Sequence, residues 1–162
     1  MSEPWERFST ASARVCFCAR FEAGLVGSDA VDTQHLLLGL LRVDPSTLRH
    51  IAQPITLDSV RDAAIRWHAP GDKVPTFVDL PLSPDSMLVF ENAISFADGH
   101  GSSFVRTEHL LLALMAVTAS HAATILGEAD ASLSRLEELV SGLHRNELQD
   151  SDPLWSEGLP IP

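Results

Sequence analysis

The chain is predicted to be all-α, with eight helices arranged as two tandem four-helix repeats about a pseudo-twofold axis. Three observations carry this. Thr33-Gln34-His35-Leu36-Leu37-Leu38-Gly39-Leu40-Leu41 returns as Thr107-Glu108-His109-Leu110-Leu111-Leu112-Ala113-Leu114-Met115, an offset of 74 (107 − 33). At that offset, without a gap, Ser9 meets Ser83, Ser12 meets Ser86, Val15 meets Val89, Ala19 meets Ala93, Ala23 meets Ala97, Gly27 meets Gly101 and Val31 meets Val105. Apolar residues in each copy recur at helical spacing, and no alternating strand pattern is present. A fixed period marks one duplicated supersecondary unit whose copies cover each other's apolar faces.

The first helix starts at Ser9, whose hydroxyl suits an N-cap, and carries Ala11, Val15, Cys18 and Ala19 before ending near Gly24 or Gly27. Its twin is capped by Ser83, with Pro84 at the first helical position and Asp85 at the positive helix end. Met87, Phe90, Ala93 or Ile94, and Ala97 form its buried stripe, and Gly99 and Gly101 close it. The second helix of each repeat opens at Thr33 or Thr107 as a cap and is then apolar on nearly every side, which marks a central, buried helix. Gly39 and Ala113 are matched small residues there, suited to close approach of a neighbour. A short helix follows, about residues 46–53 and 120–126, and then a longer amphipathic one. In the latter, Leu57, Val60, Ala64 and Trp67 answer Leu133, Leu136, Val140 and Leu143 at an offset of 76 (133 − 57), which places two extra residues in the loop before it. Domain boundaries follow: residues 1–145 form the domain, with repeat one at 8–68, a Pro/Gly-rich linker at 69–81, repeat two at 82–144, and a tail at 146–162. The tail reads as poorly ordered, with Leu154 and Trp155 as residues able to dock on a partner.

At 162 residues and 45% hydrophobic content the chain suffices for one shared core. The net charge of −11 and a single lysine, Lys73, argue against nucleic acid, which is held by concentrated Lys and Arg. No GxxxxGK[ST] precedes Lys73, which excludes a P-loop nucleotide site. Leu110–Val117, the longest uncharged apolar run, is too short to span a bilayer, and no charged-then-apolar leader opens the chain; a cytoplasmic location is the expectation. Cys16 and Cys18, two apart, point to roughly opposite sides of a helix and read as small core fillers.

The paired segments resemble the Clp repeat domain found at the N-terminus of ClpC- and ClpA-type Clp ATPases. In that family each repeat reads Phe-Thr, a helix, Leu-Gly, a short loop and Gly-Thr-Glu-His-Ile-Leu-Leu-Gly-Leu. Here Phe8-Ser9 through Gly27 to Thr33-Gln34-His35-Leu36-Leu37-Leu38-Gly39-Leu40, and Leu82-Ser83-Pro84 through Gly101 to Thr107-Glu108-His109-Leu110, keep that spacing. The likeness covers about residues 8–143. It departs where the glycine before Thr becomes Asp32 and Arg106, where the first Glu becomes Gln34, and where a basic residue after the second helix start becomes Asp85. The resemblance implies a non-enzymatic recognition module for Clp substrates, adaptor proteins or the Clp ATPase itself. It also implies phosphoarginine or cyclic-peptide ligands, and no cofactor. Without ATPase modules, such a chain is expected to deliver cargo, occupy adaptors or act as a decoy in Clp-dependent proteolysis.

On this reading the ligand residues are Glu108, Thr107, Ser83, Gln34, Thr33 and Ser9, at a groove built by the four helix starts. Glu108 would receive a guanidinium bidentately while free N–H groups near Ser83 hold a phosphate. The plainer alternative is that Glu108 offsets a helix dipole and that the Ser and Thr residues are caps. Gln34 lacks the charge and Asp85 repels phosphate, so binding at one site or none is expected. His35 and His109 occupy equivalent positions with no HExxH or Cys/His cluster near them, so they read as buried histidines bonded to a neighbouring turn rather than metal ligands. Trp5, Phe77 and Phe104 are candidates for an exposed apolar patch or for the core. Two other readings stand beside this one: a small helical hydrolase or metal enzyme without a recognisable motif, and a structural domain that joins a larger complex through Leu154-Trp155.

Overall fold

The computed structural model describes residues 4–146. After a 3-10 turn at Pro4–Arg7 come α1 (Thr10–Leu25), α2 (Thr33–Val43), α3 (Pro45–Ile51), α4 (Leu57–Ala64), α5 (Pro84–Gly99), α6 (Thr107–Ala116), α7 (His121–Glu128) and α8 (Leu133–Asn146). These are the eight helices of the two repeats, and the described residues form no strand beyond two isolated β-bridges.

The paired first helices share their local geometry. Ser9 and Ser83 sit in nearly the same extended conformation (φ −63°, ψ 161° and φ −64°, ψ 159°), and their hydroxyls accept the N–H of Ser12 and Ser86. Both helices end in a left-handed glycine, Gly27 and Gly101, each at φ 68°. The next residue closes each end by bonding back, Ser28 N–H to the Ala23 carbonyl and Ser102 N–H to that of Ala97, both at 2.9 Å.

The second helices are capped differently from expectation. Their N-caps are Asp32 and Arg106, and Thr33 and Thr107 are already helical. The Asp32 carboxylate takes the Thr33 N–H at 2.8 Å, which leaves the Thr33 hydroxyl to accept the N–H of Ala122 at the start of α7 (3.1 Å). The Thr107 hydroxyl likewise reaches the other repeat, donating to Asp44 Oδ2 at 2.8 Å. Both threonines therefore tie their helix to the third helix of the opposite copy.

The two inserted residues also fall one loop earlier than the sequence alignment placed them. Asp44 ends α2 and caps α3 at once, whereas residues 117–120 separate α6 from α7. The short helices accordingly start at Pro45 and His121, already at an offset of 76 (121 − 45). In the first repeat the amphipathic helix stops at Ala64, so Trp67 lies in the turn beyond it, while α8 runs on to Asn146.

α2 and α6 lie at the centre, with α1 packed on α2 and α5 on α6. α4 covers α2 and reaches α7; α8 covers α6 and reaches α3. Thus each repeat's last helix roofs the other's third, and one contiguous core draws on both copies, from Phe8 and Val15 to Leu136 and Val140. Gly39 is needed where α1 crosses: a Cβ there would lie 2.4 Å from the Val15 carbonyl oxygen. The matching Ala113 is fully buried, so the α5–α6 crossing leaves room for a methyl. The linker is tied down along α1, with Gly71 N–H bonded to the Val26 carbonyl (2.8 Å) and Val74 N–H to that of Gly24 (2.9 Å). Arg20 adds bonds to the carbonyls of Pro75 and Val78. A side chain at Gly27 would put its Cβ 2.3 Å from the Asp72 carbonyl of this linker.

Candidate functional site

The duplicated lead-in segments exchange partners. Phe8 bridges to Val105 and Leu82 bridges to Val31, each parallel, so each copy's first helix starts beside the second helix of the other. Ser9 N–H bonds the Val105 carbonyl and Ser83 N–H that of Val31, both at 3.0 Å. The six candidate residues therefore group into two composite junctions. Ser9 meets the α6 start, with Arg106, Thr107 and Glu108; Ser83 meets the α2 start, with Asp32, Thr33 and Gln34. This corrects the expected pairing of Glu108 with the helix start at Ser83: the crossed bridges give Glu108 to the Ser9 side.

At the Ser83 junction, an internal carboxylate stands where an anion would approach the start of α5. Asp32 Oδ1 accepts the Ser83 hydroxyl at 2.8 Å as well as the Thr33 N–H. Asp32 Oδ2 lies 3.1 Å from His121 Nδ1, which is also 3.1 Å from Gln34 Oε1. The His121 imidazole stacks on the Trp67 indole at 4.3 Å and 10°. Asp85 adds a second carboxylate to the first turn of α5. Negative charge at a helix start already offsets the dipole, so a phosphate here would meet repulsion rather than a vacant cradle. Nor is Ser83 set up as a nucleophile: it and His121 both bond Asp32, so the imidazole does not act on the hydroxyl.

The Ser9 junction has the opposite electrostatics. Arg106 occupies the position equivalent to Asp32, and Glu108 the position equivalent to Gln34. Glu108 is 6% exposed, with Oε2 3.3 Å from the Thr107 hydroxyl. Ser9 Oγ accepts the Ser12 N–H at 3.2 Å and donates to Ser12 Oγ at 3.0 Å. Behind Thr107, burial pushes the Asp44 carboxyl up, but bonds from Ser46, Thr47 and Thr107 outweigh it and hold the group below its ordinary value.

His35 and His109 each sit three residues into their helix and accept the N-cap N–H through Nδ1, from Asp32 at 2.9 Å and from Arg106 at 3.0 Å. Burial pushes His35 down to about 4, so it is neutral at physiological pH. Among the described residues no group of three or more His, Cys, Asp or Glu is placed to hold a metal ion. The cysteines are free thiols; Cys16, raised by burial to about 12, packs against the core. Trp5 and Phe77 are exposed and Phe104 is half-buried.

Sequence reasoning missed His121 and the role of Asp32 in closing a junction. Asp32 carried a signal, since it breaks the Gly-Thr pattern, but nothing local marks His121. It also missed Glu22, a buried carboxylate held by Arg42 and Arg61, whose counterpart in the second repeat is Phe96.

The crossed bridges, the shared core and the two unlike junctions define a duplicated helical-repeat domain. The chain belongs to the Clp repeat (R) N-terminal domain family, whose model matches residues 7–129. It is similar to the chloroplastic chaperone protein ClpD of Arabidopsis thaliana, 28% identical over 84% of this chain and 16% of that protein. It is likewise similar to chloroplastic ClpD1 of Oryza sativa subsp. japonica, 31% identical over 84% of this chain and 15% of that protein. The chain thus spans about a sixth of these curated relatives. Among solved structures, the N-terminal domain of the ClpD chaperone from Arabidopsis thaliana matches with a TM-score of 0.67 and 25% identity, covering 91% of this chain and 97% of that one. The Hsp104 N-terminal domain from Candida albicans shares the fold, with a TM-score of 0.59 and 17% identity over 92% of this chain and 95% of that one.

Proposed function

We propose that this domain is a non-catalytic protein-recognition module that binds peptide segments of substrates or adaptors in Clp-dependent proteolysis. We place a single arginine-phosphate site at the Ser9 junction. The observation that carries the reading is the unlike charge of two otherwise equivalent junctions. One holds a buried carboxylate at the guanidinium position and Arg106 at the anion position; the other holds Gln34 and Asp32. A phosphorylated arginine needs a carboxylate for its guanidinium and a non-acidic helix start for its phosphate, and only the Ser9 junction offers both. The ligand must take over contacts that Glu108 already makes, including that of the Thr107 hydroxyl, so a modest affinity is expected. In excess over a Clp ATPase, such a module acts as a competitor for tagged segments.

Titration calorimetry of the full chain with phosphoarginine, and with arginine as control, tests this. Saturation at one ligand per chain is expected, with Glu108→Gln weakening binding about tenfold or more through loss of a charge-assisted bond. Gln34→Ala leaves binding unchanged. Two equivalents bound, or binding indifferent to Glu108→Gln, overturns the assignment.

A further inference from the structure

The outer face of α1 exposes two phenylalanines one turn apart, Phe17 at 52% and Phe21 at 37%. The fold does not require them: at the same positions of the duplicated helix α5 the chain has Glu91 and Ser95. Such large exposed aromatics, absent from an isostructural copy, mark a surface for association. The surface continues onto the linker, where Phe77 (86% exposed) and Val78 stand out from backbone that Arg20, Gly24 and Val26 hold against α1. Tying the linker down in advance lowers the entropy lost when a partner seats on it. Arg14 lies exposed one turn before Phe17, and the Arg42 guanidinium sits over the Phe21 ring at 5.4 Å. With Arg42 taken up by Glu22, this side of the molecule gathers three further cations, Arg14, Arg20 and Lys73, against Asp72 and Asp79, in a chain of net charge −11.

We propose that the Phe17–Phe21 face of α1, with Phe77 and Val78 of the linker, is the docking site for this chain's own segment 150–157, anchored by Leu154 and Trp155. That segment has the complementary chemistry. From Glu147 onward the chain carries four acids, Glu147, Asp150, Asp152 and Glu157, and no base, and Asp152 and Glu157 flank the apolar pair. The opposite charges orient it, and the aromatic contact supplies the apolar burial. Nine residues lead from Asn146, the end of α8, to Trp155. Their extended reach of about 30 Å is comparable to the breadth of a domain this size, roughly 40 Å. The segment thereby acts as a built-in occupant that an acidic, aromatic-bearing partner has to displace.

The test is photocrosslinking in the full chain with p-benzoylphenylalanine in place of Trp155, mapped by peptide mass spectrometry. Adducts within one chain at residues 14–21 and 74–78 are expected. Their yield should fall at least fivefold in Phe17→Glu/Phe21→Ser, which copies the second repeat, and again in Arg14→Glu should the double variant fail to fold. Adducts elsewhere, no adducts, or a yield indifferent to these variants overturns the proposal. So do adducts joining two chains, which give the face to a second copy.

Discussion

Glu22 ties three helices of the first repeat together, and its removal gives a loss that can be worked from the structure. Its carboxylate, on α1, is 1% exposed. Arg42, at the end of α2, contacts Oε1 through Nε and Nη2, both at 2.7 Å. Arg61, on α4, contacts Oε1 through Nη2 at 2.7 Å and Oε2 through Nε at 3.1 Å. Removing one partner of a fully buried ion pair costs about 3–5 kcal/mol, because a charge is left uncompensated. Here the two arginine side chains are 32% and 33% exposed, so water replaces part of the lost interaction. The expectation for Glu22→Ala is a loss of about 2–3 kcal/mol. For a chain of this size that lowers Tm by roughly 5–10 °C. Urea unfolding followed by circular dichroism at pH 7 measures it, with the slope unchanged. A second arm replaces the whole cluster, Glu22→Phe with Arg42→Ala and Arg61→Met, since apolar residues of similar volume commonly match a buried ion pair; stability within about 1 kcal/mol of the parent is expected. Acid gives a third reading. Burial pushes the Glu22 carboxyl up, but hydrogen bonds and charge from Arg61 and Arg42 outweigh it and hold it below its ordinary 4.5. A group depressed on folding stabilises above its ordinary value and loses that contribution as pH falls through its folded one, so the gap between parent and Glu22→Ala closes below 4.5. A loss under about 0.5 kcal/mol for Glu22→Ala, or a triple variant as unstable as the single, would refute the reasoning.

Two further perturbations follow from the same packing. Gly39→Ala drives a Cβ to 2.4 Å from the Val15 carbonyl and is expected to destabilise by about 3 kcal/mol, whereas Ala113→Gly at the equivalent site costs only about 1 kcal/mol; urea midpoints of the two variants decide this. His35 is held neutral by burial, its value lowered from 6.5 to about 4, so the unfolded chain takes up a proton first as pH falls. Between these limits His35 withdraws up to about 3 kcal/mol of stability, and His35→Gln should flatten the stability profile over that range; an unaltered slope sinks the assignment.

Much of the architecture was legible because it is written in short range. Ser9 and Ser83 cap their helices through a hydroxyl three residues from its N–H partner, and the serine, most of the apolar stripe and the closing glycine are visible in order; Met87, expected in the stripe of α5, is instead 52% exposed, and Val89 takes its place. The helix boundaries at Thr33 and Thr107 are not legible locally, because each hydroxyl is taken up by the other repeat, that of Thr33 by Ala122, 89 residues away, and that of Thr107 by Asp44, 63 residues away. The insertion was placed one loop late because Asp44 serves two helices at once, an economy no residue pattern announces.

For the candidate site, residue types were legible but their company was not. Glu108 and Gln34 mark the charge difference between the copies, and Asp32 marks a broken pattern. Which helix start each one faces was settled by the exchange of Phe8 and Leu82 between repeats, a choice set by a core that neither copy closes alone. The duplicated sequence by itself determined eight helices, the serine caps of the two first helices and most of the buried stripes, since those follow from hydrogen bonds and periodicity within a few residues. Only the tertiary structure decided that the junctions are built from opposite copies, that Asp32 and His121 close one of them, and that Glu22 gathers two arginines. Those contacts join residues brought together by burying shared apolar surface, a non-directional force that leaves no spacing in the chain to read.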